Sequence, residues 1–306
     1  MTYSIVARDP SSGWLGVAVQ SHYFGTGRVV TWAEAGVGAV ATQSVPELGY
    51  GPRGLERMRS GRSAPEALAS LLESDSQRAL RQVGMVDARG NVAAHTGDRC
   101  IAEAGHATGA QVSVQANLME RSTVWGAMLG AYALASRESF PHRLLTALDA
   151  AEHEGGDLRG RQSAAMVVVS ATRSDEPWRE RLVDLRVDDH PDPLRELRRL
   201  LDLHVAFERL ARIFVGGILF APLSAESPAL AHALDELEAT QAVLEPNREP
   251  TFWQAVLLAK AGRDAQARAK LARACETNSR WSALLERLVP SGILPSDAPR
   301  RRDLRR

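Results

Sequence analysis

The chain has 306 residues, of which 44% are hydrophobic, and its 37 basic and 37 acidic side chains balance to a formal net charge of zero. This length and composition predict a globular protein with a substantial core, and the balanced charge argues against a nucleic-acid-binding or membrane-surface protein. Two cysteines, Cys100 and Cys275, are too few for a disulfide framework. The sequence lacks both a signal-peptide pattern and an apolar run of the roughly 20 residues that span a bilayer, so we expect a cytoplasmic protein.

Strand patterns dominate the beginning of the chain. Residues 3–8, 15–21 and 37–44 are short runs rich in Val and Ala, and Gly, Pro or Ser separates them. Ser63 and Glu66 then have the spacing of a capping box, which predicts that a helix begins there. These runs predict a sheet with a helix on one face.

The middle of the first part predicts further strands followed by helices. Residues 83–95 indicate a hairpin, and the alternation of Val with polar residues in 111–118 indicates a strand with one buried face. Helices are predicted for 123–135 and 141–153, with Pro141 in the first turn of the second helix.

Strands return after these helices. Residues 163–170 form a continuous apolar run, which is typical of a buried strand, and Leu182, Leu185 and Val187 mark the next one. The order of strands, helices and strands predicts an α+β fold rather than a regular alternation of strand and helix.

The pattern becomes helical after Asp192 and Pro193, which look like a helix cap and a helix-starting proline. Residues 251–278 resemble one tetratricopeptide-type helix pair, and a generic helical hairpin is the alternative. We therefore predict a domain at 1–195 and a helical region at 196–306, whose basic tail at 300–306 is expected to be disordered.

The second residue suggests a chemistry. If Met1 is removed, which a small second residue such as Thr2 permits, Thr2 carries both a hydroxyl nucleophile and a free amine that can activate it. An α-amine has a reference pKa of about 7.7 to 8.0, so it is partly neutral at pH 7 and can accept the hydroxyl proton. An ordinary leading strand is the structural alternative.

Several segments together resemble an uncharacterised conserved family of the N-terminal nucleophile hydrolase superfamily, the domain of unknown function DUF1028. The matching stretches are TYSIVARD at 2–9, LGVAVQSH at 15–22, WAEAGVGAVATQS at 32–44, YGPRGL at 50–55, VAAHTG at 92–97, VQANLM at 114–119, GGDLRGRQSAA at 155–165 and VDLRVDDHP at 183–191. The resemblance implies a four-layer αββα sandwich with the nucleophile at the start of a central strand. It supplies no activity for the family itself, whereas relatives in the superfamily cleave amide bonds.

Polar side chains at strand ends are the further candidates for catalysis and binding. Asn117 is the preferred oxyanion or amide donor, because Asn is locally disfavoured in a β-branched strand. Ser21 and His22 complete the predicted catalytic set with Thr2, and backbone amides at 36–38 could also serve the oxyanion. The predicted substrate-binding residues are Gln43, Ser44, Gln115, Gln162 and Ser163.

Relatives often use a lysine or arginine to stabilise the ionised nucleophile. The two lysines, Lys260 and Lys270, lie in the C-terminal region. A positive charge in the first domain is therefore expected from His22 or from one of four arginines: Arg8, Arg28, Arg53 or Arg161.

Two functions from different classes remain open. The first is an amidohydrolase that acts through Thr2 on a small amide, a peptide or an acylated metabolite, and the second is an inactive scaffold that binds a partner protein. The C-terminal helices could form a homo-oligomer contact or a docking surface. We predict no cofactor, nucleic-acid or membrane partner. We also predict no metal, because the consecutive residues 188–192 point to opposite faces of a strand and rarely converge on one ion.

Overall fold

The computed structural model describes residues 2–294, so Met1 and the predicted disordered tail lie outside the described residues. The chain divides into two compact units between Leu201 and Asp202. The first unit contains strands and helices, and the described part of the second is helical. Among the described residues, no helix combines the length and the apolar character needed to cross a membrane.

The strands all lie in the first unit. They are β1 Thr2–Arg8, β2 Leu15–Ser21, β3 Thr31–Glu34, β4 Gly38–Ser44, β5 Arg81–Asp87, β6 Val92–Thr96, β7 Gly105–Gly109, β8 Val112–Asn117, β9 Ser163–Val169 and β10 Arg181–Val187.

The α-helices occur in both units. They are α1 Gly27–Val30, α2 Tyr50–Arg59, α3 Ala64–Ser74, α4 Val124–Leu134, α5 Phe140–His153, α6 Pro193–Val215, α7 Pro228–Leu244, α8 Glu249–Lys260, α9 Asp264–Thr277 and α10 Arg280–Arg287. Short 3₁₀ turns lie at Arg78–Leu80 and Pro177–Arg179.

Two antiparallel sheets organise the first unit. The six-stranded sheet has the order β10-β9-β2-β1-β8-β7, and the four-stranded sheet has the order β3-β4-β5-β6. β1 is therefore a central strand, with Thr2 paired to Ser21 on one side and to Asn117 on the other. The mixed α and β class, with two antiparallel sheets and a helical C-terminal region, is confirmed.

The alternation of side chains along the strands creates three apolar layers. Val6 and Val17 belong to the core between the sheets, whereas Ile5 and Ala18 pack with α4 and α5 on the opposite face of the large sheet. The outer face of the small sheet packs against α2 and α3. Helices thus cover both outer faces of the stacked sheets, and polar side chains replace the apolar core between the sheets only toward the Thr2 end.

Most of the predicted elements are confirmed within one or two residues. The capping box exists: Ser63 Oγ accepts from the backbone of Glu66, and the Glu66 carboxylate accepts from Ser63 N over 2.7 Å. The predictions omitted α1, β3, α2 and β7. Sequence 50–59 was not predicted as helix because its two glycines and its proline have low helix propensity.

The second unit has its own apolar core. Leu230 and Leu237 of α7, Phe252 and Val256 of α8, and Leu271 of α9 are all buried in it. Phe252 stacks on Trp281 with 5.0 Å between the ring centroids. α8 and α9 form a helical hairpin whose turn contains Gly262 at φ +80°, a conformation that favours glycine. The identification of this hairpin as a tetratricopeptide repeat stays a prediction.

Candidate functional site

Thr2 begins the central strand and lies at the edge of the polar zone between the sheets. Thr2 is 4% exposed, and its Oγ1 donates a hydrogen bond to Ser21 Oγ over 3.0 Å. Thr2 O accepts hydrogen bonds from Gln43 Nε2 over 3.1 Å and from Asn117 Nδ2 over 3.4 Å. The structure thus brings three of the predicted residues to Thr2: Ser21 contacts its hydroxyl, and Gln43 and Asn117 contact its carbonyl oxygen.

Gln82 connects this group to both sheets. Its Oε1 accepts from Gln43 Nε2 over 2.7 Å and from Asn117 Nδ2 over 2.8 Å. Its Nε2 faces the carbonyl oxygens of Ala116 and Gly105 at 2.8 and 3.1 Å. Because a carbonyl oxygen can only accept, this arrangement fixes the orientation of the Gln82 amide.

Gln115 continues the same network along β8. Gln115 Nε2 donates to Ser4 Oγ over 2.7 Å, and Ser4 Oγ donates to Gln43 Oε1 over 2.6 Å. Ser113 Oγ donates to Gln115 Oε1 over 2.9 Å. These buried residues form a continuous hydrogen-bonded layer in which most polar atoms have partners.

Asn117 is the exception. Its Nδ2 is committed to two oxygen acceptors, Thr2 O and Gln82 Oε1, whereas its Oδ1 is buried without a hydrogen-bond partner. An orphaned buried carbonyl is costly, at about 1–3 kcal/mol. That Asn117 serves as an oxyanion or amide donor stays a prediction, and in this arrangement its open atom is an acceptor.

His22 lies directly beyond Ser21 and is half-buried. Its backbone N–H donates to Asp157 Oδ2 over 3.2 Å, and its ring Nδ1 is buried without a hydrogen-bond partner. Asp157 in turn pairs with Arg159, whose Nη2 lies 2.8 Å from Asp157 Oδ2. A cation and a buried carboxylate thus lie beside the Thr2 end of β2, on a loop that the sequence analysis did not select.

Two of the three described non-glycine residues with positive φ follow the two amide side chains that contact Thr2 O, and the third is Gln111 at the other end of β1. Ser44, which follows Gln43, has φ +73°, and Leu118, which follows Asn117, has φ +57°. Two backbone hydrogen bonds hold Leu118 in this conformation: its N–H donates to Ile101 O, and its carbonyl oxygen accepts from Leu158 N. Left-handed conformations of non-glycine residues are costly and cluster at functional sites.

Other predicted site residues are engaged elsewhere. Gln162 Nε2 donates to Asp189 Oδ1 over 3.3 Å on the surface. Ser163 Oγ donates to Tyr23 O over 2.5 Å and accepts from Thr26 N, so it fixes the turn after β2. Ser44 ends β4 opposite Arg81.

The backbone at 36–38 is wrongly predicted as an oxyanion site. Gly36 N and Val37 N donate to Ser170 O and Glu34 O, and Gly38 begins β4, whereas Gln43, near the end of that strand, contacts Thr2. Six residues of strand separate these ends by roughly 17 Å.

The predicted arginines do not supply the charge beside Thr2 either. Arg8 lies at the other end of β1, where its Nη1 donates to Gln111 Oε1 over 2.6 Å. Arg53 pairs with Glu47 at 2.7 Å, and Arg161 pairs with Glu152 at 3.0 Å. Arg28 is exposed on α1. Arg159 is the cation that the fold brings toward this end.

Tyr3 anchors the opposite face of β1. Its hydroxyl donates to the Glu152 carboxylate at the end of α5. Burial raises the pKa of Glu152 from its ordinary value, and the hydrogen bond from Tyr3 opposes that rise. Burial together with the Glu152 charge raises the pKa of Tyr3 well above its ordinary value. Thr2 is thus positioned by a tightly held neighbour.

Within residues 2–294, no cluster of His, Cys, Asp and Glu has an arrangement that could hold a metal ion. The strongest sequence candidate, residues 188–192, is engaged otherwise, because His190 Nδ1 accepts from Asp192 N over 2.9 Å and Asp192 pairs with arginines.

The sequence carried a weak signal for the residues that were missed. Gln82 is a polar residue directly before the apolar run at 83–86 of the predicted hairpin, and it lies in a strand that is buried throughout. Its partners belong to β4, β6, β7 and β8, and the pairing of those strands was not readable from the sequence.

Comparison with known proteins places the first unit in a family. The model of a family of unknown function (DUF1028) matches residues 2–197. A crystal structure of a protein from Silicibacter pomeroyi, assigned to the same family model, is 33% identical to this chain with a TM-score of 0.59. That similarity covers 69% of this chain and 89% of the other.

A more distant structure is Anbu (ancestral beta-subunit) from Yersinia bercovieri, with 14% identity and a TM-score of 0.33 over 70% of this chain and 97% of that one. Likeness at that level supports no argument about function. No curated protein matches the sequence significantly.

Proposed function

Because the chain belongs to the family of unknown function DUF1028, we propose its function from its own site: it is an amidohydrolase that uses Thr2 as an N-terminal nucleophile. The observation that carries the proposal is the position of Thr2, which opens the central strand with its hydroxyl bonded to Ser21 and its carbonyl oxygen bonded to Gln43 and Asn117. The substrate class is a small amide, a peptide or an acylated metabolite. Removal of Met1 is required, since the α-amine is the base.

The hydroxyl and the amine of Thr2 supply both the nucleophile and the proton acceptor that the reaction needs. Thr2 Oγ attacks the carbonyl carbon of the amide, and the hydroxyl proton passes to the Thr2 amine. The carbon–nitrogen bond then breaks, the amine returns its proton to the leaving nitrogen, and an ester on Thr2 remains. Water hydrolyses this ester, which releases the acid and restores the hydroxyl.

Asn117 supports the amine in this scheme. Its Oδ1 is a buried acceptor without a partner, and its Nδ2 already contacts the carbonyl of Thr2. Removal of Met1 converts the peptide nitrogen of Thr2, which has one N–H, into a free amine with more N–H groups. The expected hydrogen bond to Asn117 Oδ1 satisfies the orphaned acceptor and aims the amine lone pair toward Thr2 Oγ.

An inactive scaffold is the second candidate. Its supporting observation is that Thr2 is 4% exposed and that its hydroxyl already donates to Ser21. A threonine with only a structural role has the same surroundings. The two functions differ in whether Thr2 reacts.

A β-lactone tests the reactivity of Thr2 directly, because ring opening by a hydroxyl leaves an acyl adduct that intact mass detects. We expect one adduct on the wild-type chain, mapped to the N-terminal peptide. Thr2→Val keeps the shape and a small second residue but removes the hydroxyl, so it should not be labelled, whereas Thr2→Ser should be.

Asn117→Leu removes the acceptor, and we expect labelling to slow by at least about tenfold. Gln162→Leu is the matched control at a predicted residue that does not contact Thr2. Equal labelling of wild type and Thr2→Val contradicts the proposal, and an unlabelled wild type with a free Thr2 supports the scaffold.

A further inference from the structure

The second unit contains a groove with an unsatisfied polar floor. α7 and α9 form its walls and α8 its floor, and its volume is about 430 Å³. Leu234, Leu258 and Ala269 supply apolar lining, and Gln254 lies among them. This volume falls within the range of small-molecule and short-peptide sites.

Gln254 is only 2% exposed and has a fixed orientation. Its Nε2 donates to Leu234 O over 3.0 Å and to the Glu238 carboxylate over 2.9 Å. Both partners can only accept, so Oε1 points away from them, and it is buried without a hydrogen-bond partner. The floor of the groove therefore contains an unsatisfied acceptor, to which a ligand N–H, such as that of a peptide, could donate.

The charges of the groove favour an anion. Glu238 is already neutralised by Lys270, whose Nζ lies 2.7 Å from its Oε2, and this ion pair with the Gln254 bond lowers the pKa of Glu238. Arg263 and Arg273 also line the groove, and the charge of Arg273 adds to the lowering of the Glu238 pKa. Asp235 is the remaining carboxylate of the lining.

We propose that this groove binds an extended acidic peptide, with a backbone N–H donated to Gln254 Oε1 and a carboxylate held by Arg263 and Arg273. A guanidinium presents paired N–H groups that match a carboxylate, and apolar lining accommodates the intervening side chains. A peptide supplies both the N–H and the anion, whereas an inorganic anion or a nucleic-acid phosphate supplies only the second. The groove is lined by residues of the second unit, so the outcome of its test does not depend on catalysis by Thr2.

Fluorescence anisotropy of the full chain with three labelled peptides of equal length tests this site. The peptides alternate Ala with Glu, with Gln or with Lys. We expect the Glu peptide alone to bind with a dissociation constant below about 1 mM, and more weakly as salt is raised. A labelled oligothymidylate is the competitor that detects a nucleic-acid site.

Variants connect any binding to the groove. Arg263→Ala with Arg273→Ala should weaken binding of the Glu peptide at least about tenfold, and Gln254→Met should weaken it less, by about fivefold. Arg268→Ala is the matched control, because Arg268 is exposed on α9 outside the groove lining. An unchanged thermal melt establishes that each variant is folded.

Four results overturn the proposal. Three are no binding of the Glu peptide, equal binding of the Glu and Lys peptides, and equal loss in the control and double variants. The fourth is displacement of the Glu peptide by oligothymidylate at equal concentration, which would favour a nucleic-acid site.

Discussion

Gln82→Leu removes the amide that joins the two sheets while keeping a side chain of similar size. In wild type this amide satisfies the donors Gln43 Nε2 and Asn117 Nδ2 and three acceptors, the carbonyls of Ala116 and Gly105 and the hydroxyl of Thr96. The two donors keep longer bonds to Thr2 O, and Thr96 Oγ1 keeps its contact with His106 Nδ1, so we count only the two carbonyls as orphaned. At about 1–3 kcal/mol for each orphaned group, partly offset by the burial of leucine, we expect a loss of about 3 kcal/mol.

Urea unfolding followed by circular dichroism measures this loss. We expect the midpoint to fall while the slope with urea stays constant, which identifies a change in stability rather than in the unfolded state. Gln162→Leu is the control, since its one side-chain bond lies on the surface, and it should change stability by less than about 0.5 kcal/mol. A Gln82→Leu protein as stable as the control would refute the view that the buried polar layer holds the sheets together.

Two further predictions concern stability. Because burial raises the pKa of Glu152 above its ordinary 4.5, the folded state holds that proton more tightly than the unfolded state. The resulting stabilisation is present below about pH 4.5 and is lost as pH rises through the folded pKa. Between about pH 4 and about pH 7, the urea midpoint of wild type should therefore fall relative to the midpoint of Glu152→Gln. Gly84→Ala places a methyl group against the buried Gln115 amide and should lower stability by about 1–3 kcal/mol. Gly126→Ala, which has open space on α4, should raise stability by about 0.5–1 kcal/mol. Thermal melts of both variants measure these changes.

Elements that depend on local sequence patterns were predictable, whereas elements that depend on tertiary packing were not. The alternation in β1, β2 and β8 and the Ser63 capping box each depend on neighbouring residues, so they were predictable. α2 was not, because its glycines have a packing role: a Cβ on Gly51 would strike the ring of Trp32, which belongs to β3. Local propensity argues against that helix, and the contact that requires it is non-local.

The site divides in the same way. Thr2 was selected as the residue that follows Met1, and Ser21 and Asn117 as polar residues at strand ends. The register of β1 between β2 and β8 unites them. Gln82 and Arg159 were missed because their roles depend on a second sheet and on a loop after α5. The hydrogen bonds of Asn117 were not readable from the sequence either, since only the structure reveals that its nitrogen is occupied and its oxygen is not.

The central claim requires a free amine on Thr2, and the intact mass of the protein expressed with its native N-terminus and no leading tag tests it most directly. The account predicts a mass that lacks Met1, with Thr2 as the first residue in N-terminal sequencing. A mass that retains Met1 in full would contradict it, because an acylated nitrogen cannot accept the hydroxyl proton, and the scaffold function would then replace the hydrolase.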